Sequence, residues 1–328
     1  MKCINKWICL SLLIAVSCVS GCGKTSAVIE QPYDVYATAA DFGLSSNGSA
    51  EAKSYFASDL CVSEDVAIGT DSTDSQVAEG AGTFNLETNT VVYAKNLYER
   101  LYPASTTKIL TAYIALKYCD DLDAMVTVSE NAVNQASDSS VCNLKAGDVI
   151  RLRDLLYGLM LRSGNDAAVA IAEYISGDVD SFAALMNQEA AAMGATRSHF
   201  VNPNGLPDEN HYTCVYDTYL IFSNAIKNDT FVSIIGTTSY DVTYTDASGE
   251  AVTHTWENTN QYLTGNATTP DGFQIVGGKT GTTGEAGYCL VLYSYNPSGQ
   301  PIISIVFKAD GKSNLYLLMN EMLQGFAI

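Results

Sequence analysis

Ser105 and Lys108 stand three positions apart at the head of a long apolar run, residues 105–119 (STTKILTAYIALKYC). On a helix that spacing puts both side chains on one face, so an amine can approach a hydroxyl. Ser105 would sit at the helix N-terminus, where free N–H groups and the helix dipole favour developing negative charge. A lysine acts as a base only if it loses its proton near neutral pH, and burial or a second nearby cation pushes it that way. Ile109, Leu110, Tyr113 and Ile114 supply the burial. The chemistry open to such a pair is attack by the serine while the lysine takes its proton. Taken alone, Ser-x-x-Lys is short and common, and the pair reads rather as an N-capping serine followed by a surface lysine. It does not stand alone. A Ser-x-Asn follows at Ser129 and again at Ser163, and Lys279-Thr280-Gly281-Thr282 follows the run Phe273–Gly278. Ser105 begins the only Ser-x-x-Lys in the chain and Lys279 the only Lys-Thr/Ser-Gly.

These groups must be held by elements the pattern also predicts. Residues 83–93 read as a β-hairpin turning at Glu87-Thr88-Asn89. The 105–119 run is apolar nearly all round and should form a buried helix. Helices are expected over 151–162 and 165–176, broken at Ser163-Gly164, and over 179–193. Asn202-Pro203-Asn204-Gly205 is a turn, followed by a helix near 215–227 and short strands near 238–246. Phe273–Gly278, Tyr288–Tyr295 and Pro301–Lys308 read as an antiparallel meander, closed by an amphipathic helix over 313–326. A strand pair, a block of helices, then strands implies an α+β domain in which both chain ends share one sheet.

The chain has 328 residues, 47% of them hydrophobic and 16% charged, with a formal net charge of −19. That length supports a large core, and the apolar fraction excludes a disordered chain. The acidity argues against nucleic-acid partners, since phosphates would be repelled. Lys2, Lys6 and the apolar stretch Trp7–Val16 read as an export leader. Val19-Ser20-Gly21-Cys22 then resembles the lipobox of bacterial lipoproteins, in which the leader is cut before the cysteine and its thiol is acylated. The expected organisation is a signal peptide over 1–21, a lipidated Cys22 with a stalk to residue 75, and a domain over 76–328. The product would be exported and tethered to the outer face of a bacterial membrane. Cys61, Cys119, Cys142, Cys214 and Cys289 would remain, an odd set with no Cys-x-x-Cys, read as buried free thiols rather than a disulfide or zinc framework.

The three elements in this order resemble the active-site set of the penicillin-binding proteins and serine β-lactamases. Longer strings resemble the D-alanyl-D-alanine carboxypeptidases, serine peptidase family S11, over about 78–326: PASTTKIL (103–110), LRSGNDAA (161–168), NPNGLPDENH (202–211) and GKTGTTGEAG (278–287). That likeness selects Ser163 over Ser129. It implies a β-lactamase/transpeptidase-like α+β fold, with an antiparallel sheet flanked by helices and a mostly helical subdomain. It implies that Ser105 is acylated by a D-Ala-D-Ala peptide, that Lys108 takes the serine proton, and that Ser163 relays a proton to the leaving D-alanine. Asn165 would hold the substrate backbone and the lysine. Lys279 would add the second positive charge, Thr280 and Thr282 would contact the terminal carboxylate, and the Ser105 and Thr282 N–H groups would form the oxyanion hole. Water would release the acyl-enzyme. The implied partners are peptidoglycan stem peptides and, as inhibitors, β-lactams; no metal or organic cofactor is implied.

Relatives often carry an arginine shortly after the last strand; here Asp310–Asn314 offers only Lys312. His199, His211 and His254 read as structural, because no motif places them and the lysine supplies the base. Gly23-Lys24-Thr25 and Gly278-Lys279-Thr280 lack the glycine five residues earlier that a phosphate loop needs. A serine β-lactamase or D,D-endopeptidase on the same scaffold, and a non-catalytic wall-associated lipoprotein, are the alternative functions.

Overall fold

The computed structural model describes Ala57 and residues 59–328. Its main sheet is formed by β1 (Ala78–Asn85), β2 (Thr90–Lys95), β7 (Gln274–Thr283), β8 (Gly287–Tyr295) and β9 (Pro301–Ala309), in the order β2-β1-β9-β8-β7. Every pairing is antiparallel, and β1 pairs directly with β9, so the two ends of the domain do share one sheet. The expected fold class is thus found. β8 and β9 are buried along most of their length because both faces are covered. Alternate side chains enter different cores. Leu290 and Leu292 pack with Leu318, Met319 and Met322 of the final helix, α8 (Lys312–Phe326), while Val291 and Tyr293 face the larger helical core.

That core surrounds α1 (Lys108–Tyr118), whose Ile109, Leu110, Ala112 and Ile114 are at most 1% exposed. Around it lie α3 (Leu152–Tyr157), α4 (Asn165–Ser176), α5 (Val179–Ala192), α6 (Val215–Ala225) and α7 (Asp229–Ile235), with the single turn α2 (Glu130–Val133). The helix expected over 151–162 changes character midway. α3 gives way to a π-helical turn over Gly158–Arg162, and Ser163 then adopts φ 62°. A second sheet was not anticipated as such. β3 (Met125–Thr127), β4 (Val149–Arg151), β5 (Ser239–Thr245) and β6 (Ala251–Glu257) pair in that order, and the strands expected near 238–246 are its β5.

Two boundaries move. Lys279-Thr280-Gly281-Thr282 does not end a strand; it lies inside β7, which continues to Thr283 paired with β8. The stalk expected up to residue 75 gives out earlier, because a compact unit begins at Asp59. The Cys61 amide donates to Tyr219 Oη at 2.8 Å, Ile68 bridges Ala94 on β2, and the Asp74 amide donates to Glu321 Oε2 at 2.7 Å. The leader, Cys22 and most of the stalk lie outside the described residues. Among the described residues the five cysteines, Cys61, Cys119, Cys142, Cys214 and Cys289, are free thiols, all buried except the half-buried Cys119.

Candidate active site

Ser105 sits in a 3-10 turn, Ala104–Thr107, that runs directly into α1. The chain enters this turn through Ala104 at φ 46°, a left-handed conformation that is strained for alanine and is held by what packs on it. The packing partner is the loop Asn202–His211. Gly205, at φ 89°, lies so close that a Cβ there would stand 1.8 Å from the Ala104 carbonyl oxygen. Thr111 Oγ1 donates to the Pro203 carbonyl at 2.6 Å, further along α1. His211 closes the clamp. Its Nδ1 accepts from the Val201 amide at 3.1 Å, so the ring proton lies on Nε2, which donates to Thr107 Oγ1 at 2.9 Å. Burial lowers this histidine to about 4, keeping it neutral.

Lys108 is fully buried, and its Nζ lies 2.9 Å from Ser105 Oγ, 2.8 Å from Asn165 Oδ1 and 2.6 Å from the Asn204 carbonyl oxygen. Burial first, and then the charge of Lys279, hold its pKa well below the ordinary lysine value. A neutral amine has two N–H groups and one lone pair. The Asn165 and Asn204 oxygens can only accept, so they take both N–H groups and leave the lone pair facing the serine hydroxyl. Lys279 is also buried, and burial lowers it to about 7. Its Nζ donates to Ser163 Oγ at 2.9 Å and to the Thr280 carbonyl at 2.8 Å. Ser163 reaches Lys279 because the π-helical turn and its own left-handed backbone break the helix at that point. Asn165 opens α4, with its amide donating to the Ser140 carbonyl at 2.8 Å.

β7 is the edge strand of the main sheet and passes close beside the serine. A Cβ on Gly281 would stand 3.0 Å from the Ser105 amide nitrogen, so only glycine allows this approach without displacement. Two cavities meet at Ser105. One of about 390 Å³ lies toward Ser139, Asn165, Asn204, Leu206 and Glu285. The other, of about 160 Å³, lies toward Ser163, Thr259, Thr280 and Lys312. Thr282 lines both. Ser105, Lys108 and Asn165 are therefore joined by hydrogen bonds, as are Ser163 and Lys279, and Ser105 and Ser163 line the smaller cavity together with Thr280 and Thr282. Ser129, the competing Ser-x-Asn, instead caps α2 and bonds to Glu173. His199 bonds to the Asn210 carbonyl and His254 packs on Tyr244, and neither lines these cavities. Among the described residues no group of His, Cys, Asp and Glu could hold a metal ion.

Sequence reasoning assigned no role to Asn204 or Thr259. Asn204 was legible only as part of the turn Asn202-Pro203-Asn204-Gly205 and of the family-like string over 202–211, with no role of its own. Thr259 lies in the stretch least readable by periodicity.

The sequence profile of the D-alanyl-D-alanine carboxypeptidases, peptidase family S11, matches residues 69–311. The chain belongs to this family. A D-alanyl-D-alanine carboxypeptidase of Bacillus subtilis is 33% identical over 251 residues, which cover 75% of this chain and 61% of that protein. One from Streptomyces strain K15 is 34% identical over 265 residues, covering 76% of this chain and 88% of that one. The crystal structure of the Streptomyces K15 DD-transpeptidase superposes with a TM-score of 0.71 at 33% identity, covering 77% of this chain and 98% of that one. This S11 family chain thus spans under two thirds of its Bacillus relative but most of its Streptomyces one.

Proposed function

We propose that the protein is a serine-type D-alanyl-D-alanine carboxypeptidase that trims peptidoglycan stem peptides outside the cytoplasm and is acylated by penicillins. The observation that carries this reading is the Lys108 amine. It is buried, 2.9 Å from Ser105 Oγ, with both N–H groups engaged by Asn165 and Asn204. Ser105 attacks the carbonyl of the terminal D-Ala-D-Ala bond as its proton passes to Lys108. The amides of Ser105 and Thr282 hold the oxyanion, an interaction of about 3 kcal/mol per donor in comparable sites. Ser163, bonded to Lys279, relays a proton to the departing D-alanine nitrogen. Thr280 and Thr282 receive the terminal carboxylate, Lys279 adds the second positive charge behind them, and Lys312 lines the same smaller cavity as the two threonines. Water then cleaves the ester.

The test is release of free D-alanine from a peptide ending in D-Ala-D-Ala, with Ser105→Ala as control. Release that disappears in the control is the expected result, and no release by a folded wild-type protein overturns the proposal. Because the structural neighbour is called a DD-transpeptidase, the assay includes an amine acceptor, which would capture the acyl group if transfer competes with hydrolysis.

The lipid anchor belongs to the same proposal, supported by the sequence Val19-Ser20-Gly21-Cys22 behind a basic and apolar leader. Membrane association that survives in Cys22→Ser would refute it. No helix among the described residues is long and apolar enough to cross a membrane.

A further inference from the structure

The smaller cavity beside Ser105 has an unusual wall for so acidic a protein. Among the described residues no Asp or Glu lines it, whereas hydroxyl-bearing residues and Lys312 do. Such a wall suits an anion. One of its hydroxyls, Thr259, comes from the loop between β6 and β7. Its Oγ1 lies 2.6 Å from Thr280 Oγ1, and no other side-chain hydrogen bond is made by either hydroxyl among the described residues.

Each hydroxyl has one proton to give. If Thr280 donates to Thr259, it has none left for a ligand in the cavity. If Thr259 donates, the Thr280 proton is free to point at the anion, and the Thr280 oxygen is polarised by the bond it accepts. An anion in the cavity selects the second arrangement.

The backbone on both sides of the half-buried Thr259 is held by hydrogen bonds. Asn258 and Asn260 flank it, at 6% and 0% exposure. Asn258 Nδ2 donates to the Thr237 carbonyl at 2.9 Å, and its Oδ1 accepts from the Asn260 amide at 2.9 Å. Asn260 Oδ1 accepts from the Tyr262 amide, and the Gln261 amide donates to Tyr316 Oη at 2.9 Å. The two buried asparagines each accept from the backbone amide two residues on and so shape the loop that carries Thr259 beside β7.

We infer that Thr259 is a positioning residue for carboxylate recognition, holding the Thr280 hydroxyl so that its proton points at the carboxylate of the bound substrate or β-lactam. The inference rests on the proposed role of the smaller cavity in taking that carboxylate.

The test compares acylation of the purified protein by benzylpenicillin and by its methyl ester, in wild type, Thr259→Val and Thr259→Ser. The strained ring keeps the ester reactive, so the carboxylate contribution can be read separately. In Thr259→Val, acylation by benzylpenicillin should fall about tenfold, while acylation by the ester stays within about twofold of wild type. For a D-Ala-D-Ala peptide, KM should rise by a similar factor with little change in kcat. Thr259→Ser, which restores the hydroxyl, should behave as wild type. Equal losses on acid and ester, or no loss on either, would overturn the inference, as would a serine variant that behaves like valine. Thermal melting establishes that the variants fold, and Thr259→Ala undergoes the same comparison if valine does not. A wild-type protein that neither releases D-alanine nor reacts with benzylpenicillin marks the separate failure of the underlying function.

Discussion

Lys108 and Lys279 are two buried amines that cannot both be comfortably charged. Burial lowers each, and the charge on Lys279 lowers Lys108 further, so a proton lost from the pair comes first from Lys108. That ordering gives the site a neutral amine beside the serine and a cation beside Ser163. It also sets a pH dependence. Acylation should rise with pH as Lys108 deprotonates, then fall as Lys279 loses its proton near about 7. A pH profile of penicillin acylation should therefore be bell-shaped. In Lys279→Arg the alkaline limb should disappear, because arginine does not titrate in this range. An unchanged alkaline limb would remove Lys279 from the account. Lys108→Ala should lower acylation by about 10²–10⁴-fold, the usual contribution of a positioned base. Labelling with a fluorescent penicillin reads this directly, with circular dichroism to show that the fold survives.

At the scale of elements, the reactive turn depends on a clamp between α1 and the loop Asn202–His211. His211 is buried and held neutral at about 4, against an ordinary value of 6.5. A folded-state pKa lowered in this way contributes stability above pH 6.5 that is lost as pH falls toward 4. The full shift corresponds to about 3 kcal/mol. The stability advantage of wild type over His211→Gln should shrink by about that amount between those pH values, as measured by urea unfolding. Gly205→Ala should destabilise by about 2–4 kcal/mol, because the new Cβ meets the Ala104 carbonyl in a left-handed position. Its penicillin acylation should also fall, since the displaced turn carries Ser105. How much of this was legible beforehand depended on the kind of signal. α1, the 83–93 hairpin and the closing meander announce themselves through apolar runs and turn residues. The π-helical turn before Ser163 does not, because hydrogen-bond slippage leaves no periodic trace. β3 and β4 span only three residues each, too short for alternation to register. The Lys279 motif reads as the end of the strand Phe273–Gly278, yet pairing with β8 carries the strand through it.

Over the whole domain, the reactive groups come from sequence positions as far apart as 105 and 279, and the sheet brings them together by pairing β1 with β9. The motif set was readable because its chemistry restricts residue type, whereas the start of the domain was not, because no motif marks it. Residues 59–75 are rich in small and polar side chains that resemble a linker in composition. Their role in the fold comes from backbone contacts that composition does not report. Ile68 exchanges hydrogen bonds with Ala94 and so covers part of β2, an edge strand of the main sheet that would otherwise present unpaired groups. Tyr98 Oη, just beyond β2, donates to the Ser63 carbonyl at 2.6 Å, and Thr73 Oγ1 lies 2.9 Å from Oη of Tyr93, the neighbour of Ala94 on that strand. Removing this segment should cost about 3 kcal/mol, or a fall in Tm of about 6–12 °C for a domain of this size. A protein beginning at Asp59 should therefore melt with the longer chain, while one beginning at Gln76 should melt well below it. The Gln76 form should also self-associate more readily through the uncovered β2 edge, which light scattering would detect. Equal melting of the two forms would return residues 59–75 to the role of a stalk.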